Sequence, residues 1–340
     1  MKQIFWISLF ACAALSLAAA PDSVRQAREQ LALVKPEAAR RALADLKNNP
    51  KYDYAKNAAA IEALLARIDQ VRTDLEKGDA AAKAAAVQLV ENYRKAMLAN
   101  PILDFDKILC VHRKIGNPRG AFGGRGSGMT GLNAENHMVA PRTGFENEIG
   151  VLSDIRGTPT FRPLYKPADK TSIVRDIDLD FDASRILFTG YRGFNNLFGI
   201  YEIKTDFSKL SDKMPYQKAE LVSPEEHKDI QWWDACYLPN RDQFVMLGTA
   251  AYQFLPCEDG NMPMAVMYRK DRKTGEIRQL TYEQDSDYTP NVTHDGRILY
   301  TRWEYSDQPH YWSRVLMTCN PDGIGQLSVW GSNSFVPTFF

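Results

Sequence analysis

Residues 286–330 read SDYTPNVTHDGRILYTRWEYSDQPHYWSRVLMTCNPDGIGQLSVW. Short segments rich in β-branched and aromatic residues alternate here with turn sequences, a pattern that predicts four antiparallel strands. The turns are His294-Asp295-Gly296 and Asn320-Pro321-Asp322-Gly323, in which glycine accepts a positive φ and proline presets the first turn residue. We expect the second, third and fourth strands at residues 297–303, 312–318 and 326–330.

Weaker copies of this unit occur upstream. Residues 185–189 (RILFT) and 297–301 (RILYT) are nearly identical and lie two units apart, which gives about 56 residues per unit. Further copies begin near residues 149, 174 and 232, and four-stranded units at a regular interval predict a mainly β chain with a β-propeller of about four blades. Residues 334–339 (SFVPTF) align with residues 286–291 as the start of a fifth blade. The sequence contains no strand that would complete this fifth blade and close the propeller, and an open propeller exposes unpaired strand edges. We therefore expect the propeller to be incomplete at the C-terminus and the sequence to be the N-terminal part of a longer protein.

Two other segments precede the predicted propeller. Residues 1–20 combine Lys2, an apolar run and small residues near Ala18 and Ala19, as a cleaved signal peptide does. Residues 21–100 are rich in alanine and other helix formers, with breaks near Pro36, Pro50 and Gly78, and they predict an α-helical hairpin or small bundle. We place the propeller at residues 101–340.

Composition narrows the functional classes. The 340 residues include 42 basic and 42 acidic side chains, so no excess of positive charge favours nucleic acid as a partner. No apolar run after the signal peptide reaches the ~20 residues of a transmembrane span, and we expect a periplasmic or secreted protein. Four cysteines remain after the signal peptide: Cys110, Cys236, Cys257 and Cys319. We expect at most one disulfide among them.

One stretch formally matches a nucleotide-binding motif. Residues 126–131 (GSGMTG) fit G-x-G-x-x-G, but an irregular polar segment precedes them instead of a strand. We therefore expect a surface loop there.

Carboxylates are concentrated at Asp176, Asp178, Asp180 and Asp182. On a regular strand all four would share one face, where oxygen ligands suit calcium, and Asp176 and Asp178 are the metal candidates. Strand geometry separates alternate carboxylates by about 6.6 Å, too far for all four to bind one ion. The alternative is that the first lines the mouth of the propeller channel and the last ones make turn hydrogen bonds.

Aromatic and charged residues recur at the start or end of the predicted strands. A sugar- or peptide-binding face is one interpretation of these residues, and packing between blades is the alternative. His310, beside Tyr311 and Trp312, is the lone histidine that best suits a site. The ligand-binding candidates are Trp232, Trp233, Asp234, Arg302, Trp303 and His310. We identify no catalytic residue.

Several of these segments also resemble a known family. They are TPNVTHDGRILYTRWEY at 289–305, CNPDGIGQ at 319–326, NPILDFDKIL at 100–109 and RDIDLDFD at 175–182. They resemble the β-propeller (TolB/WD40-like) middle domain of the hydrazine synthase alpha-subunit family, which occurs in exported bacterial proteins. The resemblance implies a protein partner or a redox subunit. The family's enzyme carries c-type haem in C-x-x-C-H motifs, and because this sequence contains none, haem c is expected only beyond residue 340.

Three functional interpretations follow. The first is an exported, non-catalytic β-propeller module that binds a partner or acts as a scaffold. The second is the N-terminal part of a periplasmic c-type-haem oxidoreductase with its haem sites beyond residue 340. The third is a propeller enzyme that processes glycans or peptides.

Overall fold

The N-terminal part of the chain is helical. The computed structural model describes residues 24–77, 80–113, 146–168, 172–192, 197–210, 216–240, 242–255, 263–304 and 314–331. The predicted signal peptide, the glycine-rich stretch, His310 and residues 334–339 lie outside these ranges. The α-helices are α1 (Val24–Leu31), α2 (Pro36–Leu46), α3 (Tyr54–Leu65), α4 (Ile68–Glu76) and α5 (Ala80–Leu98).

The helices begin and end for local reasons. Pro36 opens α2, where its missing N–H costs nothing, and the Asp53 side chain caps α3 by accepting from the Lys56 N–H. The predicted breaks near Pro50 and Gly78 leave residues 54–76 as one helical segment, but residues 66–67 form a turn that divides it into α3 and α4. The division keeps Leu65 and Ile68 in the same core. No helix in the described residues is long and apolar enough to cross a membrane.

The rest of the described chain is mainly β, in four antiparallel sheets connected in chain order. Sheet 1 contains β1 (Ile108–Arg113), β2 (Asn147–Ser153) and β3 (Thr160–Tyr165). Sheet 2 contains β4 (Arg175–Leu179), β5 (Arg185–Arg192), β6 (Leu197–Lys204) and β7 (Ala219–Leu221). Sheet 3 contains β8 (Trp232–Tyr237), β9 (Gln243–Gly248), β10 (Val266–Asp271) and β11 (Ile277–Gln279). Sheet 4 contains β12 (Asp287–Val292), β13 (Ile298–Trp303), β14 (Arg314–Cys319) and β15 (Leu327–Trp330).

Sheet 4 confirms the four strands predicted from residues 286–330. Gly296 and Gly323 both have φ of +85°, which explains the turn residues at those positions. At Gly323 a β-carbon would also lie 2.6 Å from the Leu280 carbonyl oxygen. We placed the start of the propeller at residue 101, but Pro101–Leu103 forms a 3₁₀ turn and the first strand, β1, starts at Ile108. The closed propeller and the fifth blade stay predictions.

The first strands of sheets 2, 3 and 4 lie next to one another. Strand β8 packs against β4 and β5 of the preceding sheet and against β12 of the following one. The interior between these strands is apolar and includes Phe198, Trp233, Leu247, Met267 and Tyr300. Consecutive sheets are therefore joined face to face through their first strands.

The chain divides into two compact units. One contains the described parts of Leu109–Val151 and Arg162–Phe340, and the other contains those of Trp6–Ile108 together with Leu152–Phe161. In the second unit the α5 residue Arg94 donates to the carbonyl oxygens of Ile155 and Gly157. These bonds tie the turn between β2 and β3 to the helices.

Candidate functional site

The first strands of sheets 2, 3 and 4 share an irregularity near their beginnings. Each pairs with the second strand of its sheet across a register shift. Within each shift lies a non-glycine residue with φ between 45° and 51°: Asp176, Asp234 and Thr289. These positions recur at about 56-residue intervals. A bulge of this kind interrupts the alternation of side chains and re-aims one of them.

In sheets 2 and 3 the bulge brings together an arginine and two carboxyl groups. The Nε of Arg175 donates to the Asp176 carboxylate, and its Nη2 donates to Asp234 Oδ1 at 3.2 Å. Arg175 is 3% exposed and Asp234 is 6% exposed. The Arg175 guanidinium also lies 5.4 Å from the centre of the Phe198 ring. The Arg175 guanidinium and the Asp234 carboxyl group are therefore almost completely shielded from water, whereas Asp176 is half-buried.

The protonation of this cluster is unusual. Burial, followed by the negative charge of Asp176, raises the pKa of Asp234 well above the ordinary value for an aspartate. A hydrogen bond with the Asp176 side chain favours the neutral form of Asp234 further. Asp234 therefore holds a proton at a pH at which an exposed aspartate has lost it.

Asp234 also connects three sheets. Its N–H donates to Thr189 Oγ1 of sheet 2 at 3.0 Å, and its Oδ2 accepts from the Thr289 N–H of sheet 4 at 3.4 Å. Buried polar groups need hydrogen-bond partners, and these two bonds supply them across the sheets. Asp234 therefore contributes to the alignment of all three first strands. The cluster therefore joins sheets 2, 3 and 4, and ligand binding by Asp234 stays a prediction.

A second buried acid lies at the junction of sheets 2 and 3. Glu202 of β6 accepts from the Tyr237 hydroxyl at 2.8 Å and from Arg272 Nη2 at 2.6 Å. Burial raises the pKa of Glu202 in spite of the hydrogen bond from Tyr237. The strand β8 is thus held to sheet 2 by polar bonds at both of its ends.

The structure separates the four aspartates that a regular strand would place on one face. Asp178 Oδ2 accepts from the Tyr237 N–H at 2.9 Å, across the junction between sheets 2 and 3. Asp180 accepts from the backbone N–H groups of Ser184 and Arg185 in the turn that follows β4. The expectation of one shared carboxylate face is wrong, because the bulge at Asp176 breaks the alternation and β4 ends at Leu179. Among the described residues, no three His, Cys, Asp or Glu side chains are grouped so as to hold a metal ion.

The predicted aromatic candidates lie in the interior. Trp232 and Trp233 are 2% and 1% exposed, and Trp232 meets Tyr268 edge to face with ring centres 5.2 Å apart. Trp303 is equally buried, beneath the Arg314 guanidinium at 4.2 Å. Because the three rings are buried, the structure favours the alternative interpretation, packing between blades, and ligand binding at these tryptophans stays a prediction. Their large apolar surface is instead buried between sheets.

Arg302 is buried as well, but it reaches towards the surface. Its Nε donates to Asp287 Oδ1 at 3.2 Å, and its Nη1 lies 2.9 Å from Glu283 Oε1. Its Nη2 donates to the Tyr300 hydroxyl and to Gln326 Oε1, both at 2.9 Å. Glu283 is partly exposed, so Arg302 holds an acidic side chain at the surface.

Glu283 lines a shallow groove of about 360 Å³ that we call the aromatic groove. One wall comes from the β9–β10 loop and the other from the β11–β12 connection, and together they contain Gln253, Phe254, Tyr282, Glu283 and Gln284. Tyr282 is 75% exposed and Phe254 is 49% exposed. Next to the groove, the hydroxyl of Tyr252 donates to Asp229 Oδ1 at 3.4 Å.

Sequence reasoning did not identify the aromatic groove. The signal that could have found it is the position of Tyr252, Phe254 and Tyr282 outside the strands, in connections where polar residues are usual. Of the predicted candidates, the structure brings Asp176 and Asp234 together through Arg175. It places Arg302 behind the groove, and His310 lies outside the described residues.

Comparisons with known proteins give weak likenesses. No protein-family profile and no curated protein matches the chain. A TolB-type structure from Agrobacterium tumefaciens matches with 14% identity and a TM-score of 0.39, over 54% of this chain and 57% of that one. Hydrazine synthase of Kuenenia stuttgartiensis matches with 15% identity and a TM-score of 0.45, over 66% of this chain and 32% of that one. TolB of Acinetobacter baumannii matches with 11% identity and a TM-score of 0.37, over 74% of this chain and 59% of that one.

This chain therefore spans less than two thirds of each of these proteins. At such identities the likenesses point to no particular member and no activity. The haem sites expected beyond residue 340, and a redox subunit as partner, stay predictions.

Proposed function

We propose that the protein is an exported binding module of the β-propeller type, with its binding face at the end where the first strands begin. The observation that carries this proposal is the repeated bulge at Asp176, Asp234 and Thr289. In a propeller the first strands of successive blades surround a central axis, so equivalent residues from several blades meet there. The contacts of β8 with both β4 and β12 support the same arrangement.

The position of the binding face follows from the connections. The connections that lead into β8 and β12 reach the first strands at the end that carries the bulges. The β9–β10 loop lies at this end too, because Gly248 at the end of β9 pairs with Trp232 at the start of β8. The exposed aromatic rings and the repeated bulges therefore belong to one end of the sheets. Loops on a rigid β scaffold commonly carry binding residues.

Hydrogen exchange on the full chain tests the proposal. The ligands would be octapeptides with basic, acidic, aromatic or neutral central residues and, in a separate arm, short oligosaccharides. We expect one class to protect the backbone amides of residues 225–231, 249–255 and 280–286. The turns at the opposite end, residues 180–184, 272–276 and 293–297, serve as the internal control. Protection at those turns, or at neither end with any ligand, would contradict the proposed function.

A further inference from the structure

Three aromatic side chains in or beside the aromatic groove are exposed to solvent. Tyr282 is 75% exposed, Tyr252 54% and Phe254 49%, whereas large aromatic residues elsewhere in sheet 3 are buried. Exposed rings in a cluster commonly mark a site for a ligand or a partner. Packing within the folded chain does not explain the exposure of these three rings.

The segment 249–255, which carries two of these rings, is held in place by packing and by backbone bonds. Leu255 and Met264 are buried and anchor it in the core of sheet 3. The Met264 N–H donates to the Gln253 carbonyl at 2.9 Å, and the backbone of Phe254 forms a bridge with Pro263. Tyr252 has a φ of 52°, which is rare for a bulky residue and is maintained only when surrounding bonds impose it. The rings are thus presented by an ordered backbone.

Tyr282 is equally well supported. The preceding residue, Thr281, is completely buried, and its hydroxyl accepts from the Met267 N–H at 2.8 Å and donates to Asp287 Oδ2 at 2.5 Å. The Tyr282 hydroxyl donates to the Gln279 carbonyl at 3.3 Å. The Tyr282 ring is therefore exposed to solvent while the residues around it hold it in place.

Two carboxylates lie beside the exposed rings. Glu283 lines the groove, and Asp229 accepts from the Tyr252 hydroxyl. Arg302, which reaches Glu283 from behind, is shared with the buried Asp287. Two basic side chains, Arg192 and Lys270, donate to backbone carbonyls of the connection before β8 (residues 222–231). The negative charge beside the rings is therefore that of Glu283 and Asp229.

We propose that the aromatic groove binds the side chain of a lysine or arginine in a peptide. The proposal rests on the proposed binding function of this face and names its ligand. Ring faces attract a cation within about 6 Å of their centres, and Glu283 and Asp229 supply carboxylates beside the rings. The aliphatic stem of a basic side chain packs on Phe254, while Gln253 and Gln284 are placed to bond the peptide backbone.

Arg302 is a positioning residue in this arrangement. Its Nη1 holds Glu283 Oε1 at 2.9 Å, and its remaining bonds to Asp287, Tyr300 and Gln326 fix the guanidinium in turn. A neutral sugar could also stack on exposed rings. The carboxylates of Glu283 and Asp229 beside the rings favour a cation, because charge complementarity steers and selects charged partners.

The test measures peptide binding to the full chain by fluorescence polarisation. The probes are labelled alanine–glycine octapeptides with a central lysine, arginine, norleucine or glutamate. We expect the lysine and arginine peptides to bind at least about tenfold more tightly than the norleucine peptide, with the glutamate peptide weakest. Raising the salt concentration from about 50 to about 500 mM should reduce this preference.

Variants locate the site. Tyr282→Ala and Phe254→Ala should each weaken the binding of the basic peptides about fivefold, and Glu283→Gln should reduce the preference for lysine over norleucine. The matched controls are Phe105→Ala in the helical unit and Glu220→Gln on β7, both exposed, which should leave binding unchanged. Thermal unfolding checks that each variant is folded.

The outcomes separate this inference from the proposed function. Equal affinity for norleucine and lysine peptides overturns the inference, and so does an equal loss of binding in the controls. If only oligosaccharides bind and they protect residues 249–255 and 280–286, the groove is a sugar site and the binding face stands. If no ligand protects that face, both proposals fail.

Discussion

Arg175 and Arg302 are both buried beside two carboxyl groups, but the carboxyl groups come from different places. Asp176 and Asp234, which flank Arg175, belong to sheets 2 and 3. Asp287 and Glu283, which flank Arg302, belong to β12 and the connection that leads into it. Arg302 bonds through all three of its nitrogens, whereas Nη1 of Arg175 has no hydrogen-bond partner among the described residues.

The origin of the carboxyl groups distinguishes two structural roles of a buried arginine. A guanidinium between acids of two sheets stabilises their junction, and removing it leaves two carboxyl groups facing each other. A guanidinium between acids of one segment orients that segment, here with Glu283 at the surface. Arg175 lies on β4, the first strand of sheet 2, and Arg302 lies on β13, the second strand of sheet 4. The origin of their partners distinguishes their roles.

The largest expected effect is that of Arg175→Met. The substitution leaves the buried Asp234 and the half-buried Asp176 without their cation, and we expect the free energy of unfolding to fall by about 3–5 kcal/mol. Urea denaturation of the full chain measures this change. Hydrogen exchange should show lost protection in both β4 and β8.

Arg278→Met is the matched control, since Arg278 is exposed on β11. Its effect should stay within about 0.5 kcal/mol. If Arg175→Met cost no more than this control, or if only β4 lost protection, Arg175 would not join the two sheets.

The next largest effect is a dependence of the free energy of unfolding on pH, caused by Asp287. Burial raises the pKa of Asp287 to about 6, against the opposing influence of Arg302. The folded protein therefore takes up this proton at a higher pH than the unfolded chain. The resulting stabilisation is fully present below about pH 4, and it is lost as the pH rises through 6. A shift of this size corresponds to about 3 kcal/mol.

Denaturation of the wild-type chain and of Asp287→Asn between pH 4 and pH 7 isolates this contribution. The wild type should lose stability relative to the variant as the pH rises, because the asparagine has no proton to release. Asp295→Asn is the control: Asp295 is exposed, and its pKa is lowered chiefly by a hydrogen bond from Thr293. Parallel pH profiles for the wild type and Asp287→Asn would contradict the assignment.

Local sequence signals were sufficient for much of the fold. The turns at Gly296 and Gly323, the helix start at Pro36 and the four strands of residues 286–330 depend on neighbouring residues alone, and all were predictable. The position of β1 was not, because the apolar residues at 102–105 resemble a strand until Pro101 fixes a 3₁₀ turn. The turn at residues 66–67 was missed because the spacing of Ile61, Leu65 and Ile68 fits a continuous helix.

The site was predictable only in part, for a physical reason. A bulge shifts side chains from one face to the other, so the alternation at Asp176 and Asp178 gave the wrong face. Whether Trp233 lies inside or outside depends on the neighbouring sheet, which single-strand patterns do not encode. Asp234 was identified as a candidate, but its bonds to Arg175 and Thr289 depend on contacts between sheets.

The smallest effect concerns Asp178, which joins the same two sheets as Arg175 through a hydrogen bond to the backbone. Its Oδ2 accepts from the buried Tyr237 N–H at 2.9 Å, so Asp178→Ala removes the acceptor and should cost about 1–3 kcal/mol in the free energy of unfolding. Asp178→Asn retains an acceptor oxygen and should cost less than about 1 kcal/mol. The pair of variants also separates this role from calcium binding, because loss of a metal ligand would make both substitutions costly and make the melting temperature of the wild type depend on calcium. We expect calcium to leave the wild-type melting temperature unchanged, since the oxygen that would bind it already accepts from the backbone of the next sheet.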